Sequence, residues 1–289
     1  MAKILVTGAT GRLGNAVVRA LLQKIPATEV AAMARDVDKA APLAALGVDV
    51  RYGDYTDYDS LVAAFEGIEK IYLVSAVAFS DRVTQHKNAI VAAGRAGVRH
   101  VIYTSIQRLN DERAPIEGVT ESDIATERLL EKSGMTYTIV QHPLYANDLP
   151  FLMGAHAAKA GFSAPAGQGR MGIVTFAELA EAGAALLTEA GYENRSYLLS
   201  GGQTWSFQDI AEAFSRMTGK SVGYQPITAE AFISARESEG WPTALAKFIN
   251  GWCGAIEKGG FDQGSDALEG LLEREPKGLE VVLGEVFGV

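Results

Sequence analysis

Short apolar runs rich in β-branched residues recur in the first half of the chain, at 4–7, 30–34 and 71–74, and continue at 48–52, 98–104 and 137–141. Each is strand-length and reads as a strand of a parallel sheet buried on both faces. The segments between them carry helical spacing. Residues 12–24 bring Leu13, Val17, Val18, Leu21 and Leu22 to one face, and residues 57–66 do the same with Leu61, Val62 and Phe65. Further helices are predicted over 81–96 and 121–133. Parallel neighbours need right-handed crossovers, so this alternation predicts an α/β fold, a doubly wound parallel Rossmann sheet with helices on both faces.

After Pro143 the rhythm breaks. Residues 149–160 read as a helix, 161–172 as a Gly-rich turn region, and 176–189 as a helix followed by an apolar run at 196–199. From Ser206 onward the pattern is mainly helical, over 207–217, 229–239, 243–257, 265–272 and 279–286, with one short strand near Val222. The expected division is a sheet domain over 1–148, rejoined by 173–200, and a smaller, mainly helical C-terminal domain from 149–172 and 201–289 that closes over a cleft.

Composition narrows the function classes. The 289 residues suffice for one large or two modest domains, and 48% hydrophobic with 21% charged residues excludes disorder. A net charge of −9 without a basic stripe argues against nucleic acid. Cys253 stands alone, so no intrachain disulfide is possible, and no Cys/His cluster has metal-ligand spacing. A reducing, cytoplasmic setting is expected. No run reaches the roughly 18 apolar residues of a membrane span, and the apolar run at the start is too short for a signal-peptide core.

The strongest chemical signal is GATGRLG at residues 8–14, following a predicted strand and opening a predicted helix. Gly8 permits a tight turn, Gly11 lets backbone approach a pyrophosphate, and Gly14 lets the helix pack closely, while the N–H groups of the helix face the anion. Thr10, Arg12 and Leu13 belong to the same loop. A reader of NAD presents an acidic residue at the end of the second strand. Here Arg35 stands at that tip with Lys39 one helical turn on, so Arg35, Lys39 and Arg12 offer cations to a 2′-phosphate, and NADPH is expected over NAD. Asp36 on the ribose hydroxyl is the alternative. Asp54 and Tyr55, and Ser75, Ala76 and Val77, lie at further strand ends facing the same crevice, where Asp54 has the chemistry to bond an adenine amino group.

The sequence resembles the NmrA-like, atypical short-chain dehydrogenases, and within them the NADPH-dependent quinone oxidoreductases and triphenylmethane reductases. VTGATGRLG, KIPATEV, VDVRYGDY, QHKNAIVAAGRAGVRHVIYTS, ATERLLEKSGMTYT and EKGGFDQGSDALEGLL carry the likeness, so it spans nearly the whole chain. It implies a Rossmann domain that binds NADPH and a smaller domain forming the other wall of the substrate cleft. Typical short-chain dehydrogenases protonate substrate through a Tyr-x-x-x-Lys pair, which is absent: no Lys lies between Lys87 and Lys132 and no Tyr between Tyr103 and Tyr137. Two segments depart from the quinone reductases. Asp123 replaces a His, and Gln141-His142 replaces Arg-Asn. Tyr145 and Asn147 match, in the segment after the sixth strand that runs past the nicotinamide.

Tyr145 and Asp123 are therefore the candidate catalytic residues, and Thr104, Ser105, His142, Pro143 and Tyr145 join the expected cofactor contacts. The expected reaction is hydride transfer from NADPH to a quinone or similar electron-poor conjugated acceptor, whose phenolate product needs little acid. A non-catalytic NADP(H) sensor that signals to a partner, or a reductase of triphenylmethane-type dyes, is the alternative. The expected partner is a small-molecule acceptor, with a homo-oligomer left open. His86 and His100 read as surface or capping residues, the three Trp as core or cleft packing with Trp241 the best exception, and residues 111–113 as a solvated loop.

Overall fold

The computed structural model describes residues 2–77, 79–109 and 114–289, so the loop expected at 111–113 lies outside them. Strand and helix alternate through β1 (Ile4–Val6), α1 (Arg12–Leu21), β2 (Val30–Ala34), α2 (Ala41–Ala44), β3 (Asp49–Tyr52), α3 (Tyr58–Ala64), β4 (Lys70–Leu73), α4 (Arg82–Arg95), β5 (His100–Ile106), α5 (Thr120–Glu131) and β6 (Thr136–His142). There follow β7 (Leu144–Tyr145), α6 (Leu149–Met153), α7 (Ala157–Ala160), β8 (Phe162–Ala164), β9 (Arg170–Met171), β10 (Ile173–Val174), α8 (Phe176–Thr188) and β11 (Arg195–Leu198). β11 pairs with β6, giving a seven-stranded, wholly parallel sheet in the order β11-β6-β5-β4-β1-β2-β3. The strand order reverses between β1 and β4. A crevice opens at that point beyond the carboxyl ends of the strands.

Side-chain caps start the helices where the sequence places short polar residues. Asp57 accepts the Ser60 N–H at the head of α3, and Asp81 that of Thr84 at the head of α4. One face of the sheet is covered by α1 and α8, with Val17, Val18 and Leu21 packed with Leu179 and Leu186. The other is covered by α3, α4 and α5 through Leu61, Ile90 and Leu130.

The helix expected over 149–160 is broken. Gly154, at φ +86°, closes α6, and a new turn starts at Ala157. The region read as turn over 161–172 contains β8 and β9, which pair with strands from far along the chain. β8 runs parallel to β13 (Tyr224–Pro226), and β9 antiparallel to β12 (Trp205–Ser206). Their side chains join Phe207 and Phe214 of α9 (Phe207–Thr218) and Ile256 in a second core. Four helices follow β13 or close the chain: α10 (Ala229–Ser238), α11 (Thr243–Glu257), α12 (Ala267–Leu272) and α13 (Leu279–Phe287). Although α12 comes late in sequence, Leu268, Leu271 and Leu272 pack with the sheet core beside α8. Among the described residues, no helix is long and apolar enough to cross a membrane.

Candidate functional site

The cofactor-type half of the crevice is built from the loop after β1. Gly8 adopts φ +58°, and the Gly11 N–H bonds the Gly8 carbonyl at 2.9 Å, closing the turn. A Cβ on Gly14 would stand 2.4 Å from that carbonyl oxygen, so only glycine lets α1 back so tightly against the loop. Gly11 caps α1 without a side-chain hydrogen bond, which leaves the first-turn N–H groups to an anion. Leu13 is buried in the core beneath, so its backbone alone faces the crevice.

At the tip of β2, Arg35 is exposed and makes no hydrogen bond or ion pair among the described residues. Asp36, the alternative ribose partner, is engaged locally. It accepts the Lys39 N–H and pairs with Lys39 Nζ at 3.3 Å, and these contacts hold its carboxyl below the ordinary range. This arrangement fits a 2′-phosphate on Arg35 better than a ribose hydroxyl on Asp36. Arg12, by contrast, is drawn off. Its guanidinium pairs with Asp148 and lies 4.9 Å from the centre of the Phe176 ring.

Several residues expected at the cofactor also brace the crevice through hydrogen bonds within the protein. Tyr55 donates to the Val74 carbonyl at 2.6 Å and shares a hydrogen bond with Thr7, tying the ends of β1 and β4 to the loop after β3. Asp54 accepts the Thr56 N–H and hydroxyl, closing its own turn. Thr104 accepts the Ser75 N–H, and His86 Nε2 accepts the Ala76 N–H, both at 2.8 Å. Rather than lying at the surface, His86 is fully buried, and burial lowers its pKa to about 3. His100 is also buried, against Thr138. Val77 is two-thirds exposed beside the crevice.

The other half is a cavity of about 300 Å3 between the ends of β5 and β6 and helix α11. Arg12, Ser75, Ser105, Asp123, His142, Pro143, Tyr145 and Asp148 line it on the sheet side. Phe151 and Leu152 of α6 and Leu245, Phe248, Ile249 and Trp252 of α11 close it with an apolar wall. Trp252, stacked on Phe261 and meeting Phe248 edge-on, supplies that wall. Trp241 stands behind Phe151 and does not line the cavity.

The floor holds a buried polar cluster that sequence reasoning missed at its centre, Arg82. This guanidinium donates to the Ser122 hydroxyl, the Ala76 carbonyl and Asp123 Oδ1, at 2.8, 2.7 and 2.5 Å. A cation in the first turn of α4 opposes the helix dipole, and that is the signal that it serves a specific partner. The same Asp123 oxygen accepts the Tyr103 hydroxyl. Burial pushes the Asp123 carboxyl upward while Arg82 pulls it down. So engaged, Asp123 fixes Arg82 and the loop after β4 and does not stand free as an acid. Nearby, Ser105 donates to Glu127, which Arg108 grips.

Tyr145 reaches His142. The hydroxyl lies 3.1 Å from Nδ1, and the rings meet edge-on at 5.7 Å. Burial raises the tyrosine pKa above its ordinary value and lowers that of His142 to about 3, so both are neutral near pH 7. Asn147 accepts the Phe176 N–H and anchors α8 without lining the cavity.

The chain is 35% identical to quinone oxidoreductase 2 of Escherichia coli over 288 residues, 99% of each chain. The crystal structure of that quinone oxidoreductase complexed with NADPH superposes with a TM-score of 0.91 at 34% identity, covering 98% of this chain and 99% of the other. Triphenylmethane reductase of Citrobacter sp. superposes with a TM-score of 0.92 at 34% identity, covering 99% and 100%. The NmrA-like family profile matches residues 1–256, and the chain belongs to the NmrA-like family.

Proposed function

We propose that this protein is an NADPH-dependent reductase of quinones or similarly conjugated, electron-poor acceptors. One observation carries the reading. The uncapped N-terminus of α1, at the switch point, begins with Arg12, which lines a cavity whose far wall is apolar and aromatic, and Arg35 at the tip of the neighbouring β2 is unpaired among the described residues. Gly8, Thr10, Gly11 and the backbone of Leu13 and Gly14 hold the pyrophosphate, Arg35 meets the 2′-phosphate with Lys39, paired to Asp36, one turn on, and Ser75, Ala76 and Pro143 flank the path to the nicotinamide. When bound, NADPH supplies hydride from its dihydronicotinamide ring. The chain binds and orients the acceptor against that ring and excludes water with Phe248 and Trp252.

The relatives fit this reading, since one is named for quinone reduction and the other for triphenylmethane dyes. The test follows loss of NADPH absorbance with a panel of quinones, dyes and enones, together with NADPH binding by calorimetry. Turnover of quinones is expected. Tight NADPH binding with constant absorbance across the panel would instead make the protein a cofactor sensor.

A further inference from the structure

His142 is 1% exposed, lines the acceptor cavity, and has one ring nitrogen, Nε2, that no protein group bonds among the described residues. Its other nitrogen meets Tyr145, whose hydroxyl makes no other hydrogen bond among them. Two tautomers are open to this pair. If Nδ1 carried the proton, it would donate to the tyrosine oxygen, leaving both the tyrosine O–H without an acceptor and the Nε2 lone pair without a donor. If Nε2 carries it, Tyr145 donates to Nδ1 and only one group is left over, an N–H on the cavity wall. A buried polar group without a partner keeps the cost of its lost hydration, so the arrangement with one orphan is preferred to the one with two.

We infer that His142 is a catalytic residue of the reductase, its Nε2–H donating a hydrogen bond to the acceptor's carbonyl oxygen as that oxygen becomes anionic, with Tyr145 as the positioning residue that fixes the tautomer. The inference rests on the reading of the cavity as an acceptor site. The quinone takes up a hydride, with its electron pair, from NADPH, which becomes NADP+, and the negative charge settles on the quinone oxygen. His142 keeps its proton throughout, and the second proton of the hydroquinone comes from water. Because its pKa lies near 3, the imidazole works as a neutral dipole and not as an acid. A preorganised donor of this kind needs no titration and loses no time to reprotonation.

Three measurements decide it. The 15N shifts of His142 in the unliganded protein are expected to show Nε2 protonated and Nδ1 bare, and Tyr145→Phe should move them towards a mixture of tautomers. A protonated Nδ1 in the unmodified protein would overturn the inference. His142→Phe, which keeps a ring but no donor, should lower kcat with a naphthoquinone about 10- to 100-fold. His142→Gln, which keeps an N–H, should recover part of that loss, and neither variant should change the Kd for NADPH more than about twofold, a factor worth about 0.4 kcal/mol. An intact kcat in His142→Phe, or a loss confined to NADPH affinity, would assign Nε2–H to packing or to the cofactor and not to the acceptor. If the unmodified protein turns over no acceptor, the reductase reading fails, and the tautomer measurement still reports on the His142–Tyr145 pair.

Discussion

Replacing Arg35 with alanine isolates the group proposed to separate NADPH from NADH. Arg35 is exposed and unpaired among the described residues, so its interaction with a 2′-phosphate is screened nearly as in water. There, unit charges about 4 Å apart attract by about 1 kcal/mol, and a phosphate monoester carries about −1.5 to −2 charges. The contact is then worth about 1.5–2 kcal/mol, a factor of about 10–30 in Kd. Calorimetry should show that loss for NADPH in Arg35→Ala, no change for NADH, and a smaller effect at high salt because exposed charges are screened within about 8 Å at physiological ionic strength. Arg12→Ala should leave the NADPH-to-NADH ratio intact, since that guanidinium is spent on Asp148 and Phe176. A change below twofold in Arg35→Ala, or a lost preference in Arg12→Ala, would refute the assignment.

Gly11→Val should abolish NADPH binding, because a branched side chain fills the anion's approach, and should lower the thermal midpoint without unfolding the domain, because a Cβ there stands a tight 3.2 Å from the Gly8 carbonyl; retained NADPH affinity would place the cofactor elsewhere. Asp123→Asn strands the Arg82 guanidinium, whose side chain is 6% exposed, and should cost about 3–5 kcal/mol in urea unfolding; the double variant Arg82→Met/Asp123→Asn should cost less than the single one. Stability should fall as the pH drops below about 6.5, because the unfolded chain protonates histidines whose folded pKa values are depressed to about 3, at His86 and His142. Each contributes a slope of up to about 1.4 kcal/mol per pH unit, with Asp123, whose pKa is raised, working in the opposite sense. An unaltered slope in His86→Gln would show that His86 is not one of the groups responsible.

The sheet was legible because its strands and helices carry uninterrupted periods. Val17, Val18 and Leu21 mark out a helix face by their spacing alone, and residues 8–14 set the glycines of the β1–α1 turn within seven consecutive positions. The region after Pro143 was not legible for two physical reasons. Apolar spacing runs on across Gly154, so only its left-handed backbone reveals that one helix is two. β8 and β9 span three and two residues, too few to show alternation, and they exist because distant strands pair with them. The acceptor wall was hidden for a related reason. Phe248 and Trp252 sit on a helix more than a hundred residues beyond β6, where an apolar face looks like ordinary core. The surroundings of Arg12 were not legible either, since Asp148 and Phe176, which meet its guanidinium, lie more than a hundred residues along the chain.

The same cavity predicts which acceptors are excluded. Its two cations are each matched by a carboxylate, Arg12 by Asp148 and Arg82 by Asp123, so the lining is close to neutral and suits an uncharged acceptor. The lining groups do not offer a ready proton: His142 is depressed, Tyr145 is raised above its ordinary 10, and Asp123 is held by Arg82 and Tyr103. Reduction of a quinone ends on a phenolate of pKa about 10, whereas an unconjugated ketone ends on an alkoxide about as basic as hydroxide, whose conjugate acid has pKa about 15.7. That gap of about 6 units corresponds to about 8 kcal/mol in product basicity, and a hydrogen bond worth about 1.5–3 kcal/mol to a charged oxygen cannot close it. With saturating NADPH, a naphthoquinone should therefore turn over at least about 10⁴-fold faster than a cycloalkanone of similar size, a difference of about 5.4 kcal/mol in barrier. Comparable rates would mean that a true proton donor reaches the acceptor oxygen, and that neutral His142 is not the group that stabilises it.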